Sequence, residues 1–258
     1  MARYFDFLIW PPKGKLETVQ QLLDQQTIPH EEILHLEYSH PLFKYGWQIS
    51  SFIPGGTARD LRDQPSWNSA EYLEKLGSLL QEIHQITFEF VGTFHDESYR
   101  YASFVDFAEA ELAEKDFKNL SPEFEWTLQV IDAARTEIRS NLKSFQWSQT
   151  CLVHDDANEN NVLWRNGNPL LIDWMDCVSA PALRDFTTIT YHFNEPVLQF
   201  LEQGYCSKID QTELRLHQLM RFIRLGSFYY FADNDVVQFE LMMRRLQLLL
   251  ERTKPFGA

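Results

Sequence analysis

The spacing of four polar residues in the second half of the chain constrains the fold more than any other feature. His154 and Asp156 follow a short apolar run, Asn161 stands five residues after Asp156, and Asp173 ends a later pair of apolar runs. Arg165–Asn166–Gly167–Asn168 separates that later pair, and Asn-Gly is the strongest short signal for a β-hairpin. The spacing therefore predicts that two Asp and one Asn lie at one end of a single hairpin.

Oxygen-bearing side chains gathered in this way suit one type of chemistry. A carboxylate can orient an attacking hydroxyl and accept its proton. A second carboxylate and an amide oxygen are ligands that Mg²⁺ prefers, and the metal neutralises charge on a transferring phosphoryl group. The set therefore predicts a phosphoryl-transfer site.

Composition bounds the class of protein and its partners. The chain has 258 residues, of which 44% are hydrophobic and 14% aromatic, enough for one large domain or two lobes that share a cleft. Its formal net charge of −14 argues against binding to nucleic acid or to an anionic membrane. The same charge is compatible with a cationic small-molecule substrate.

Cysteine usage and the N-terminal segment bear on location. The cysteines are Cys151, Cys177 and Cys206, an odd number without a CxxC pattern, which fits a reducing compartment better than a disulfide framework. The apolar run from Phe5 to Trp10 is interrupted by Asp6 and is too short for a signal peptide or a membrane span. We therefore expect a cytoplasmic protein without a membrane partner.

Hydrophobic periodicity predicts an α+β fold. Strands are expected first, then a helical body, then the hairpin, then more helices. The predicted strands outside the hairpin region are Tyr4–Trp10, Glu32–Tyr38 and Tyr45–Phe52, and the predicted helices include a short one around Leu16–Leu23, one that starts at Asn68, mostly helical chain from Phe104 to Leu142, then Glu195–Gln203, Gln211–Ala232 and Asp235–Arg252. The turn signal at Pro54–Gly55–Gly56 divides the chain into a small lobe, residues 1–55, and a larger lobe, residues 56–258.

The stretch Leu152–Trp164 resembles the catalytic loop of aminoglycoside phosphotransferases and choline-kinase-like enzymes, which usually reads His-Gly-Asp, four variable residues and Asn. Leu171–Trp174 looks like the metal-binding strand end of that family. Gln48–Gly55 is similar to its hinge strand, and Leu76–Gly77 with Ile83–His84 to one of its helices. Together these matches cover roughly residues 16–250.

The resemblance implies a protein-kinase-like two-lobed fold, with a reduced N-terminal strand lobe and a larger, mostly helical C-terminal lobe that contains the hairpin. It implies an ATP-dependent phosphotransferase that acts on a hydroxyl of an aminoglycoside, an amino alcohol or a sugar-like molecule. Asp156 would be the catalytic base, and Asn161 and Asp173 would hold Mg²⁺. His154 would brace the loop by hydrogen bonds, and Asp185 would anchor loop structure.

The resemblance also implies a nucleotide site. Ser51, Phe52 and Ile53 would line the adenine pocket, with backbone groups that offer hydrogen bonds. ATP would be the co-substrate and Mg²⁺ the cofactor of a monomer or homodimer.

The sequence departs from the family at two places. Asp155 stands where the family usually has Gly, which puts an unexplained carboxylate beside the base. At the N-terminus, Leu8 stands where a phosphate-binding Lys or Arg is expected, and Glu17 is the nearest substitute for its helical Glu partner. Lys13 and Lys15 follow the strand and could reach inward.

Three interpretations of this second departure stay open. The chain is an active enzyme with a reduced nucleotide-binding lobe, or a degenerate kinase-like protein that binds a nucleotide or another ligand, or it starts at an internal Met of a longer protein. A separate functional hypothesis is that the chain uses the fold only as a scaffold for protein interaction.

Overall fold

The computed structural model describes residues 13–38, 47–114, 117, 120–143, 146–192 and 197–252. The predicted strand Tyr4–Trp10, which contains Leu8, lies outside the described residues. The chain divides into two compact units, residues 1–100 with 149–209 and residues 101–148 with 210–258. The predicted lobes, residues 1–55 and 56–258, stay a prediction.

Helices and short strands alternate along the described chain. The α-helices are α1 (Lys15–Gln25), α2 (Ala58–Leu61), α3 (Ser69–Ile83), α4 (Phe104–Glu114), α5 (Glu125–Leu142), α6 (Leu183–His192), α7 (Val197–Tyr205), α8 (Gln211–Phe231) and α9 (Val236–Glu251). The strands are β1 (Ile33–Glu37), β2 (Trp47–Ser50), β3 (Gly56–Thr57), β4 (Val91–Gly92), β5 (Arg100–Tyr101), β6 (Thr150–Val153), β7 (Val162–Arg165), β8 (Asn168–Leu171) and β9 (Val178–Pro181). This mixture of helices and small sheets confirms the α+β class.

The predicted hairpin is strands β7 and β8. They pair antiparallel, with Val162 opposite Leu171 and Arg165 opposite Asn168. Asn166 and Gly167 form the turn with φ of 49° and 76°, the left-handed conformation that a two-residue hairpin turn requires. Strand β3 completes this sheet in the order β3-β7-β8. A second sheet has the order β5-β4-β9-β6, in which β9 is an inner strand and β6 is an edge strand.

Helix α3 packs extensively against helix α7 within the first unit. It begins at Asn68, whose side chain accepts a hydrogen bond from the backbone N–H of Glu71, as the sequence predicts. It crosses α7 with a glycine at the contact on each helix: a Cβ on Gly77 would lie 2.4 Å from the Leu201 carbonyl oxygen, and one on Gly204 would lie 1.7 Å from that of Glu74. Only glycine permits so close an approach of the two backbones.

The second unit is built from helices. Arg215 on α8 makes a paired ion contact with Glu137 on α5, its Nε and Nη2 donating to Oε1 and Oε2 at 2.7 and 3.1 Å. Aromatic side chains fill the interior, with Phe239 on α9 lying edge-on to Phe124 at a ring-centroid distance of 5.2 Å. Across the described ranges, no helix combines the length and the apolar character needed to cross a membrane.

Candidate active site

The loop from His154 to Asn161 joins two strands of different sheets. Strand β6 ends at Val153, which pairs with Val178 of β9, and β7 begins at Val162, which pairs with Leu171 of β8. The backbone N–H of Ile172 also donates to the carbonyl oxygen of Asn161 at 3.0 Å. Both ends of the loop are therefore fixed to the segment that carries Asp173.

Two amides hold the carboxylate of Asp156. The side-chain nitrogens of Asn158 and Asn161 donate to the same oxygen, Oδ2, at 2.9 and 2.8 Å. The Asn161 nitrogen also donates to the backbone carbonyl oxygen of Asp156 at 3.0 Å. Since the amide nitrogen of Asn161 faces Asp156, its amide oxygen is the atom oriented to coordinate a cation.

Asp173 lies in a strongly acidic neighbourhood. Burial raises the pKa of its carboxyl above the ordinary value, and the negative charges of Asp176, Asp156 and Glu31 raise this pKa further, against the opposing effect of His154. The backbone N–H of Asp173, at φ 62°, donates to Glu31 Oε1 at 2.9 Å. A bound cation would relieve the repulsion among these carboxylates.

Magnesium fits this donor set. Within the described residues, no group of three or more His, Cys, Asp or Glu side chains is arranged to hold a metal ion. Mg²⁺ is commonly bound by one or two carboxylates together with substrate phosphates and waters. Asn161 and Asp173 supply an amide oxygen and a carboxylate, which are ligand types that Mg²⁺ takes.

His154 is buried beneath the loop. Its Nε2 donates to the carbonyl oxygen of Ile172 at 2.9 Å, which leaves Nδ1 to accept from the backbone N–H of Asp156 at 3.3 Å. Its ring lies edge-on to Trp174 at a centroid distance of 4.6 Å. These two bonds link the Asp156 backbone, through His154, to the strand end before Asp173.

Asp185 is bonded to the other side of the loop. Its Oδ2 accepts from the backbone N–H of His154 at 3.0 Å, and its Oδ1 accepts from that of Asp155 at 2.8 Å. The same Oδ2 lies 3.1 Å from His84 Nε2, and His84 Nδ1 lies 2.9 Å from the hydroxyl of Tyr205. A chain of hydrogen bonds therefore runs from Tyr205 on α7, through His84 at the end of α3 and Asp185 on α6, to the loop from His154 to Asn161.

Asp155 does not present its carboxylate to the site. The residue has φ 61°, and its side chain turns into the interior, where Arg184 donates from Nε to Oδ1 at 2.8 Å and from Nη2 to Oδ2 at 3.0 Å. This ion pair accounts for the carboxylate that the sequence leaves unexplained.

Of the candidate charged residues of the N-terminal segment, Lys13 is exposed, whereas Lys15 and Glu17 have defined partners. Lys15 is 2% exposed, and its Nζ donates to the carbonyl oxygen of Met175, in the turn that follows Asp173. Glu17 accepts a hydrogen bond from the Tyr38 hydroxyl at 2.6 Å. Lys15 therefore reaches inward, as the sequence allows, and contacts the turn that follows Asp173.

The residues expected at the nucleotide site extend the β1–β2 pair. The backbone N–H of Ser51 donates to the Glu32 carbonyl oxygen at 2.7 Å, and its hydroxyl accepts from the Glu32 N–H at 3.0 Å. Phe52 is 89% exposed and Ile53 is half-buried. The nucleotide-binding role of these three residues stays a prediction.

The residues that sequence reasoning missed are partners of the loop. They are Asn158, which shares Oδ2 of Asp156 with Asn161, the buried residues His84 and Arg184, and the half-buried residues Tyr205 and Glu31. The Asp-Ala-Asn sequence was a local signal for Asn158, because Asn side chains commonly bond backbone or side-chain groups two residues away. The other partners are distant in sequence and had no such signal.

Residues 17–217 match the model of the Phosphotransferase enzyme family. The chain belongs to this family. Its structural neighbours include a crystal structure of a thermostable mutant of aminoglycoside phosphotransferase APH(4)-Ia in the apo form, with a TM-score of 0.72, 17% identity, and coverage of 93% of this chain and 83% of that chain. No curated protein sequence matches the chain.

Two further structures show the same fold. A ternary complex of an APH(4)-Ia mutant with AMP-PNP and hygromycin B has a TM-score of 0.70 and 17% identity, over 90% of this chain and 78% of that chain. A choline/ethanolamine kinase family protein from Mesorhizobium loti has a TM-score of 0.61 and 14% identity, over 95% of this chain and 82% of that chain. These likenesses confirm the predicted protein-kinase-like α+β fold of this phosphotransferase family member.

Proposed function

We propose that the chain transfers the γ-phosphoryl group of ATP to a hydroxyl of a small molecule. The observation that carries this proposal is the pair of amide donors that fix the Asp156 carboxylate beside Asp173. Such preorganisation suits a group that must orient an attacking hydroxyl. Family membership supports the reaction class.

The proposed roles follow the hydrogen bonds. Asp156 orients the acceptor hydroxyl and takes its proton as the bond to phosphorus forms. Asn161 and Asp173 would hold Mg²⁺, which supplies neutralising charge beside the phosphoryl oxygens. His154 and Asp185 keep the loop backbone in place and do not react. Ser51, Phe52 and Ile53 line the adenine pocket in this proposal.

The proposed acceptor is an aminoglycoside, an amino alcohol or a sugar-like molecule. The APH(4)-Ia structure in complex with hygromycin B and the choline/ethanolamine kinase relative motivate the first two classes. The net charge of −14 favours an acceptor that carries amines. We propose a cytoplasmic protein that acts as a monomer or homodimer.

A second function is favoured by one observation on the sequence. Leu8 stands where the resemblance expects a phosphate-binding Lys or Arg, and Lys15 donates to the Met175 carbonyl oxygen. A kinase-like protein that binds a nucleotide or another ligand without turnover would tolerate this arrangement.

ADP formation from Mg·ATP separates the two functions. The acceptor panel contains hygromycin B, other aminoglycosides, choline, ethanolamine and simple sugars, and each acceptor is tested with wild type and with Asp156→Asn. Turnover that depends on an acceptor and is lost in the variant supports the enzyme. A thermal shift with Mg·ATP, combined with no turnover on the whole panel, supports the binding protein.

A further inference from the structure

Asp155 adopts a left-handed backbone conformation, which glycine enters more readily than aspartate does. Its φ of 61° lies in the left-handed region, where a Cβ crowds the backbone and glycine is the usual occupant. The residue directly precedes Asp156, so any change of its backbone angles redirects the Asp156 side chain. Something other than intrinsic preference must hold Asp155 in this conformation.

Arg184 supplies the compensating interaction. Its guanidinium binds the Asp155 carboxylate through both oxygens, at 2.8 and 3.0 Å. The side chains are 8% and 1% exposed, so the pair is shielded from water. Charge-assisted bonds in this two-point geometry fix orientation as well as distance.

Two consecutive residues of α6 hold Asp155 from opposite ends. Arg184 binds its side chain, and Asp185 Oδ1 accepts its backbone N–H at 2.8 Å. A carboxylate held at one end and an N–H held at the other leave the backbone of Asp155 little freedom to rotate.

We propose that Asp155 and Arg184 are a coupled pair of positioning residues that direct the Asp156 carboxylate. This inference rests on the proposed function, and neither residue touches a substrate in it. Glycine at position 155 would relax the backbone but leave the Arg184 charge buried without its acid. The chain is therefore expected to tolerate loss of both partners better than loss of one.

Hydrogen exchange tests the positioning without any ligand. The variants are Asp155→Gly, Arg184→Met and the double variant, and the observed peptides cover residues 154–161. We expect each single variant to exchange about tenfold faster than wild type in this segment, because local opening becomes easier. In this segment the double variant should exchange more slowly than whichever single variant exchanges faster. Arg165→Met, at an exposed arginine of the hairpin, is the matched control and should leave exchange unchanged.

Conservative variants keep the test decisive if the single variants do not fold. Asp155→Asn preserves shape without charge, and Arg184→Lys preserves charge without the two-point geometry. We expect both to fold and to exchange faster in the loop than wild type. Loop exchange within about twofold of wild type in all folded variants would overturn the proposal, because local stability would then not depend on the pair.

Kinetics distinguish positioning from a purely structural contribution. With Mg·ATP and an acceptor from the panel above, we expect kcat to fall by about tenfold or more in Asp155→Asn, with the KM for ATP unchanged. An unchanged kcat in a variant with faster loop exchange would contradict positioning of Asp156. If wild type transfers phosphate to no acceptor, the proposed function fails, and the exchange experiment alone decides whether the pair fixes the loop.

Discussion

Asn161 donates its side-chain amide to Asp156 twice, to the backbone carbonyl oxygen at 3.0 Å and to Oδ2 at 2.8 Å. The contact spans five residues of one loop and fixes both the backbone and the side chain of Asp156. It also orients the amide oxygen of Asn161, which is the atom that coordinates Mg²⁺ in the proposed function. One asparagine thereby connects the expected base to the expected metal site.

Asp156→Asn should abolish most turnover and leave the fold intact. The amide has nearly the same shape as the carboxylate but cannot take the acceptor proton, and loss of such a group costs about 10²- to 10⁴-fold in rate. Steady-state kinetics and thermal unfolding measure the two effects. Asp63→Asn, at an exposed acid outside the loop, is the matched control and should keep full activity. Full activity of Asp156→Asn would remove Asp156 from the reaction.

The two asparagines that hold Asp156 should respond differently to magnesium. Asn161→Ala removes a proposed metal ligand, so the Mg²⁺ concentration for half-maximal activity should rise by about tenfold or more. Asn158→Ala removes hydrogen bonds to Asp156 and to the Asn160 backbone N–H but no proposed metal ligand, so kcat should fall while the Mg²⁺ dependence stays as in wild type. A Mg²⁺ titration of both variants at fixed ATP measures the difference. Equal Mg²⁺ dependence in the two variants would exclude Asn161 as a ligand.

The features that could be predicted from the sequence depend on neighbours in the chain. The hairpin turn needs only Asn166 and Gly167, and the start of α3 needs only Asn68 and the N–H of Glu71. The loop from His154 to Asn161 is likewise local, since Asp156 and Asn161 lie on one short segment. Spacing therefore sufficed to place these groups together, and the long helices near the C-terminus were found within a few residues of their observed ends.

The features that could not be predicted depend on partners far apart in sequence. Arg184 meets Asp155 across 29 residues, and His84 meets Asp185 across 101. A single sequence does not show which buried side chains meet. Other arginines and histidines of the chain were therefore equally good candidates for the partners of Asp155 and Asp185. For this reason the sequence did not reveal the partner of the Asp155 carboxylate, although it did show that Asp155 departs from the family pattern.

The three cysteines should differ sharply in reactivity. Cys151 and Cys177 are buried and Cys206 is exposed, and burial raises the pKa of the Cys177 thiol to about 12. The thiolate is the reactive form, so Cys177 stays protonated and unreactive at pH 8. An aromatic disulfide reagent should titrate one thiol rapidly in the native protein and three in denaturant. Cys206→Ser should remove the rapid phase, whereas rapid labelling of Cys177 would contradict the packing around it.

Gly204→Ala should destabilise the first unit by about 3 kcal/mol, because overpacking a close contact forces the backbones apart. The added Cβ would lie 1.7 Å from the Glu74 carbonyl oxygen, and backbone atoms cannot give way as a flexible side chain can. Tyr205 follows directly on α7 and bonds His84, so the displacement should also weaken the chain of hydrogen bonds to Asp185. Urea unfolding and exchange of the loop amides measure the two consequences.

Gly226→Ala is the control for this effect. The nearest atom to its added Cβ is the terminal methyl of Met243, at 2.4 Å, which can move aside by rotation of the side chain. Alanine also favours a helix over glycine by about 1 kcal/mol, which offsets part of the strain. We therefore expect a much smaller loss of stability at Gly226, and no change in loop exchange. Equal losses at the two sites would mean that the α3–α7 crossing is not tightly constrained, and that the position of His84 is set by other contacts.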